Sequence, residues 1–348
     1  MEKATLPLVA GGLGVCRASS LAFSCYVSSL HASSDIAIGL LPQRLQAAFA
    51  DSISREGKRF QALWPDVALT QEDFVSQSRL DELGWRSDLA RLLALCVSPA
   101  ERAAMLAAQH PLARGWLRCF PVPQVGTSLS DSTFRVGICL RLGIRPCTFD
   151  ICARCRSVPS TAGTHGLHCR RSAGRHSRHS SLNEEVKRAF CSAQVPARRE
   201  PTGLNTNQLR PDGITTVPWS LGHCLAWDVT VVDTLAPSYV ADSAHTAGSA
   251  ATLAEERKRS KYNGQLPVDV DFVPLAFETL GGWGPSTASF LDELGKRLIA
   301  ATGDKRAKDF LFQRLSVAIL HGNAASVLGS VIDDDVKENN VYLDNIAY

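Results

Sequence analysis

The run from Cys224 to Asp233, Cys-Leu-Ala-Trp-Asp-Val-Thr-Val-Val-Asp, is dominated by β-branched and aromatic residues and reads as a strand. Alternation with period two puts Ala226, Asp228, Thr230 and Val232 on one face and Leu225, Trp227, Val229 and Val231 on the other. An acid among such neighbours is costly unless it is paired or binds a cation, because a carboxylate loses its hydration on burial. Asp228 is singled out on that ground.

The surroundings alternate as an α/β unit does. Residues 214–219 form a second β-rich run, joined to the first by Ser-Leu-Gly-His, a hairpin-like connection. Residues 250–262 read as a charged helix and 270–277 as a strand, with helices at 287–301 and 305–320 packing over the sheet. An amphipathic helix at 182–193, with Glu184 and Glu185 in its first turn, precedes them. The expected fold for 182–330 is therefore α/β (α+β), a mixed sheet flanked by helices.

Hard divalent cations such as Mg2+ or Mn2+ bind carboxylate oxygens and activate water for phosphodiester hydrolysis. Asp212 follows Pro211 at the start of one strand and Asp228 lies on the next, the two related through a hairpin. Lys258 and Lys261 are three apart on a helix and share a face, and either serves as general acid or charge stabiliser. Tyr262 follows directly. Glu278 ends the following strand and Glu185 sits on the preceding helix, so each adds a candidate carboxylate from a neighbouring element. The competing reading makes Asp212 and Asp228 turn and strand-end acids paired with Arg210 or the lysines.

Residues 146–181 change character, being rich in Cys, His, Arg, Ser and Gly with almost no large apolar residue. Such a stretch builds no hydrophobic core and either needs a staple or stays disordered. Cys152-x2-Cys155, followed by His165 and Cys169, offers four soft ligands suited to tetrahedral Zn2+, with His168 an alternative to His165. His176 and His179, further on, are not assigned to that metal. The whole chain carries a formal charge of only +3, but 154–199 holds Arg154, Arg156, Arg170, Arg171, Arg175, Arg178, Lys187, Arg188, Arg198 and Arg199 against Glu184 and Glu185. A polyanion would meet a basic field there.

Residues 1–118 read as mainly helical, with apolar residues at three- and four-residue spacing over 19–30, 42–50, 71–83, 87–96 and 99–108. A Pro- and Gly-containing break at 121–128 precedes a helix at 132–142, and the last residues, 331–348, form a polar, acidic tail. Eleven cysteines, an odd number spread along 348 residues, fit reduced thiols inside the cell better than a secreted disulfide scaffold. Gly11, Gly12, Gly14 and Arg17 interrupt the apolar N-terminal stretch, so no signal peptide is expected, and no segment reaches the roughly 20 apolar residues of a membrane span.

Four runs together resemble one known arrangement. They are Arg210-Pro-Asp-Gly-Ile, the strand from Cys224 to Asp233, Lys258-Arg-Ser-Lys-Tyr, and Phe272-Val-Pro-Leu-Ala-Phe-Glu-Thr-Leu-Gly-Gly-Trp. The chain resembles the C-terminal part of non-LTR retrotransposon polyproteins, whose restriction-like endonuclease has the PD-(D/E)xK fold. In that family the catalytic lysine is displaced from the strand to the following helix. Thr230 stands here where a standard motif has lysine, so Lys258 or Lys261 would substitute.

The family also carries a Cys-Cys-His-Cys knuckle ahead of the nuclease, and the order agrees. Leu6-Pro-Leu-Val-Ala-Gly-Gly-Leu-Gly-Val, Ala113-Arg-Gly-Trp-Leu and Arg141-Leu-Gly look like the region after the reverse-transcriptase palm and the linker beyond it. The resemblance implies a helical region at 1–118, a linker with a helix at 119–150, a zinc knuckle and basic segment at 151–181, and the nuclease at 182–330. It further implies DNA, and RNA as a second partner, a nuclear location, no membrane and no small-molecule substrate. No Tyr-x-Asp-Asp motif is present, so reverse transcription is not expected of this chain.

Overall fold

The computed structural model describes residues 2–147, 151–158, 163–204 and 209–331. The chain divides into two compact units, Met1–Val97 and Ser98–Tyr348. The expected tail at 331–348 lies, apart from Val331, outside the described residues.

The first unit is helical, with a short α1 (Glu2–Thr5) and three long helices, α2 (Ala18–Leu40), α3 (Gln43–Leu63) and α4 (Gln77–Ala94). Two helices expected separately, at 71–83 and 87–96, are a 3-10 turn followed by the one continuous α4. No proline separates them, and Leu80 and Gly84 are buried in the same helix. Val27, Phe60, Trp64, Val67 and Leu80 form the core of this unit. Gly84 is required there, since a Cβ would sit 2.9 Å from the Trp64 ring.

In the second unit, α5 (Pro99–Ala108) shows how local sequence sets a boundary. Ser98 accepts a hydrogen bond from the Glu101 N–H, Pro99 occupies the first turn, and Glu101 complements the helix dipole. A 3-10 stretch, Leu112–Arg118, and α6 (Asp131–Leu142) follow, then α7 (His165–His168) and α8 (Ala173–Ser192). The helix expected at 182–193 thus begins nine residues earlier. Its first half faces α12 (Ala307–Leu328) through Gly174 and the buried Arg178, whose Nη1 donates to Asn323 Oδ1 at 2.7 Å. A Cβ at Gly174 would lie 2.6 Å from the Gly322 carbonyl oxygen, so the two helices approach backbone to backbone.

A four-stranded mixed sheet follows, with β1 (Ala197–Arg199), β2 (Gly213–Thr215), β3 (Cys224–Val232) and β4 (Val270–Glu278) in spatial order 1-2-3-4. β1 and β2 are antiparallel, as are β2 and β3, while β3 and β4 are parallel. Parallel neighbours require a crossover, supplied by α9 (Val240–Ser243) and α10 (Ser249–Tyr262). β4 is an edge strand, which accommodates Pro274 without a lost ladder hydrogen bond on a second side. The mixed sheet with flanking helices is as expected, and β1 is an addition to it.

The main core lies between one face of the sheet and the helices α8, α11 (Pro285–Thr302) and α12. Leu225, Trp227 and Val229 from β3 and Leu275 and Phe277 from β4 meet Leu182, Val186, Phe190, Leu291, Leu294, Leu311 and Leu315. On the other face Ala251 and Ala254 of α10 pack on Ala276. These small side chains bring α10 close to the sheet, directly over the face that carries Asp228.

Candidate functional site

The stripe of α10 that faces the sheet continues from Ala251 and Ala254 to Lys258 and Tyr262, at helical spacings of three and four. Lys258 Nζ donates to Asp228 Oδ1 at 2.5 Å, and the Tyr262 hydroxyl donates to Asp228 Oδ2 at 2.7 Å. Both carboxylate oxygens of Asp228, only 4% exposed, are thereby engaged. The Tyr262 hydroxyl also lies 3.0 Å from the Arg210 carbonyl, and its ring stacks on Phe272 with centroids 4.3 Å apart. Burial, and then the facing Asp228 carboxylate, push the tyrosine pKa up.

Asp212 reaches the same place from β2. Gly213 pairs with Trp227, so one step further along the antiparallel register Asp212 comes beside Asp228. A Cβ at Gly213 would lie 2.0 Å from the Trp227 ring, which explains the glycine after Asp212. Asp212 Oδ2 accepts from the Val229 N–H at 2.7 Å and stands 3.0 Å from His179 Nε2. Burial raises the Asp212 pKa, but the His179 and Asn183 side chains and the Val229 N–H outweigh it, and the net shift is downward. The same contact with Asp212 raises the His179 pKa against the opposing effect of burial.

His179 and Asn183 are four apart on α8 and so share a face. Asn183 Oδ1 accepts from Trp227 Nε1 at 3.0 Å, which fixes the amide beside Asp212. The four-residue spacing of His179 and Asn183 is the sequence signal for this pair, and it is hidden because the apolar periodicity of α8 starts only at residue 182.

The remaining candidates lie apart. Lys261 is exposed, with its ammonium 5.3 Å from the centre of the Tyr262 ring. Glu278, wholly buried, accepts from the Ala251 N–H and the Thr234 hydroxyl, both at 3.1 Å. It caps α10, whose own N-cap is Gly248 and offers no side chain. Burial pushes its carboxyl up. Glu278 stands four residues along β4 from Pro274, the partner of Asp228, about 13 Å at strand rise. Glu185 pairs with Arg188 Nη1 at 3.2 Å and Arg314 Nε at 3.3 Å. Neither glutamate joins the two aspartates.

The cysteine cluster forms a second site. The ligand atoms of Cys152, Cys155, His165 and Cys169 all lie within 4.8 Å of one another, among the described residues the one such group of three or more His, Cys, Asp or Glu side chains. A tetrahedral ion with bonds of 2.0–2.3 Å has edges of about 3.3–3.8 Å, so small side-chain movements close it. This Cys3His set could bind a metal such as zinc. Cys155 Sγ is 3.1 Å from His165 Nε2, whereas His168 Nδ1 turns away to Asp233 Oδ2 at 2.9 Å. Arg156, with φ of 63°, makes the left-handed turn that follows the cysteine pair. Hydrogen bonding to Ser157 lowers the Cys155 thiol to about 6, while burial pushes Cys169 up to about 11.

This cluster is docked on the fold. The Ala153 N–H donates to the Ser330 carbonyl and Arg154 Nε to the Gly329 carbonyl, both at 2.9 Å, at the end of α12. Leu167 packs with Val136, Leu140, Ala324 and Val327. Several arginines of the basic run are likewise structural, Arg178 within α8 and Arg188 and Arg199 on Glu184. Compared with known proteins, the chain matches no protein-family model and no curated protein.

Proposed function

We propose that residues 182–330 form a divalent-metal-dependent DNA endonuclease of the restriction-like PD-(D/E)xK class, and that the chain derives from a non-LTR retrotransposon polyprotein, acting in the nucleus. The observation that carries the reading is the pairing of Asp228 on β3 with Lys258 on the following helix, α10. A strand acid and a helix-borne lysine meeting over the face of a mixed sheet is the arrangement that the displaced-lysine motif requires. Thr230 in the strand position is consistent with it.

Asp212, directly before β2, and Asp228, on the adjacent β3, supply the hard carboxylate oxygens that Mg2+ or Mn2+ takes. When bound, such an ion supplies Lewis-acid polarisation of the scissile phosphate and a more acidic water. The protein's own groups do the rest. The Val229 N–H holds Asp212 in orientation, Tyr262 holds Asp228, and Lys258 brings a positive charge to the place where negative charge builds on the phosphate. Lys258 is favoured over Lys261 because its ammonium is at Asp228. The Cys3His knuckle binds Zn2+ in this reading and, with exposed arginines of 154–175, grips DNA or RNA by phosphate contacts.

Nicking of supercoiled plasmid with Mg2+ or Mn2+, lost in Asp228→Ala, is the expected result; unchanged nicking in that variant refutes the assignment. A second reading, nucleic-acid binding without cleavage, is favoured by one observation, that Lys258 and Tyr262 occupy both oxygens of Asp228. Salt-sensitive DNA binding that a zinc chelator abolishes, with no nicking under any divalent ion, would select it.

A further inference from the structure

His179 Nε2 lies 3.0 Å from Asp212 Oδ2 and 3.0 Å from the Val229 carbonyl oxygen. One ring nitrogen thus faces two hard oxygens from different strands, and a single N–H cannot point well at both. The separation has a second meaning. In an octahedral complex with bonds near 2.1 Å, neighbouring donor atoms are about 3.0 Å apart. A carboxylate oxygen and a peptide oxygen, both donors that a first-row divalent ion accepts, therefore each stand from the imidazole nitrogen of His179 at the spacing of cis ligands.

We propose that His179 is a nitrogen ligand of the cation site at Asp212, so that the site prefers Mn2+ to Mg2+. The inference rests on the nuclease reading for its setting but concerns the ion's coordination. Imidazole nitrogen suits first-row transition ions, whereas Mg2+ is held by oxygen ligands and water. The chain positions the ring for this task. α8 fixes its backbone, and Asn183 one turn later is locked by Trp227 Nε1. With an ion bound, the Nε2 lone pair would face the cation and any proton on Nε2 would pass to solvent.

The test uses the full chain, its cysteine site filled with one equivalent of Zn2+, and Mn2+ as the probe. Pulsed electron paramagnetic resonance on bound Mn2+ is expected to show nitrogen-14 coupling, replaced by a nitrogen-15 doublet when the wild-type protein contains 15N-histidine. The labelled protein needs no substitution, so the result stands even where a variant fails to fold. In His179→Ala and His179→Gln the coupling is expected to vanish and Mn2+ to bind about 10- to 100-fold more weakly, with Mg2+ affinity little changed.

Histidine coupling lost in these variants supports the inference whether or not DNA is cut; its presence without nicking would sink the nuclease reading alone. Bound Mn2+ without histidine coupling overturns the inference and leaves the nuclease reading standing if nicking persists. Failure of Mn2+ to bind, or coupling that survives in His179→Ala, also overturns it.

Discussion

His110 shows what a single buried titratable side chain does in this fold. Burial pushes its imidazole down to about 4, despite a hydrogen bond to Gly281, and it meets the Trp283 ring edge-on. The folded-state value lies below that of the unfolded chain, so unfolding takes up a proton at mildly acidic pH. The stability tied to neutral His110 is therefore whole above about pH 6.5 and is lost as pH falls toward 4. Urea melts should reveal a loss of about 3 kcal/mol across that window, absent in His110→Gln. The two glutamates separate in the same way. Removing the carboxylate that caps α10, in Glu278→Ala, should cost roughly 2–4 kcal/mol by leaving the Ala251 N–H and the Thr234 hydroxyl unpaired. Glu185→Ala should leave any nicking rate within about twofold, since the glutamate pairs with Arg188 and Arg314 rather than with the aspartates.

At the scale of the element, Gly213 ties the position of Asp212 to the packing of β3. Its missing side chain makes room for Trp227, so Gly213→Ala should destabilise the second unit by roughly 2–4 kcal/mol, read in a denaturant melt. Retained stability would show that the Trp227 ring moves aside. The knuckle makes its own prediction. One equivalent of Co2+ should give thiolate charge-transfer absorption in the wild type and lose it in Cys152→Ser, with His168→Ala unaffected, because His168 faces Asp233 rather than the cysteines. β3, α10, β4 and the Cys-x2-Cys turn were legible in sequence because period, propensity and ligand spacing all pointed one way. The first half of α8 was not. Its contact with α12 is made by Gly174, Gly322 and a buried arginine, which a search for apolar stripes does not register. His179 went unassigned with it. The partners of Glu278 and Glu185, the start of α10 and the side chains of Arg188 and Arg314, were not legible either, since strand and helix order alone do not say which neighbour a carboxylate meets.

For the whole molecule, the division at Val97 and Ser98 places Pro99–Ala108 and Leu112–Arg118 with the sheet, although their helical pattern continues that of the preceding residues. Side-chain contacts explain it. The Trp116 N–H donates to Ser316 Oγ at 3.0 Å, and Arg141 Nη1 reaches the Ala108 and Ala113 carbonyls, all within the second unit. No helix among the described residues is long and apolar enough to cross a membrane. In the function proposed above, Asp228 and Lys258 serve one phosphodiester-cleaving site. Single-turnover nicking rates, with Mg2+ and with Mn2+, should be compared for the wild type, Asp228→Ala, Lys258→Ala and Lys261→Ala. The first two variants should lose at least about 100-fold and Lys261→Ala only a few-fold. Full activity in Asp228→Ala, or a loss at Lys261 that exceeds the loss at Lys258, would contradict it.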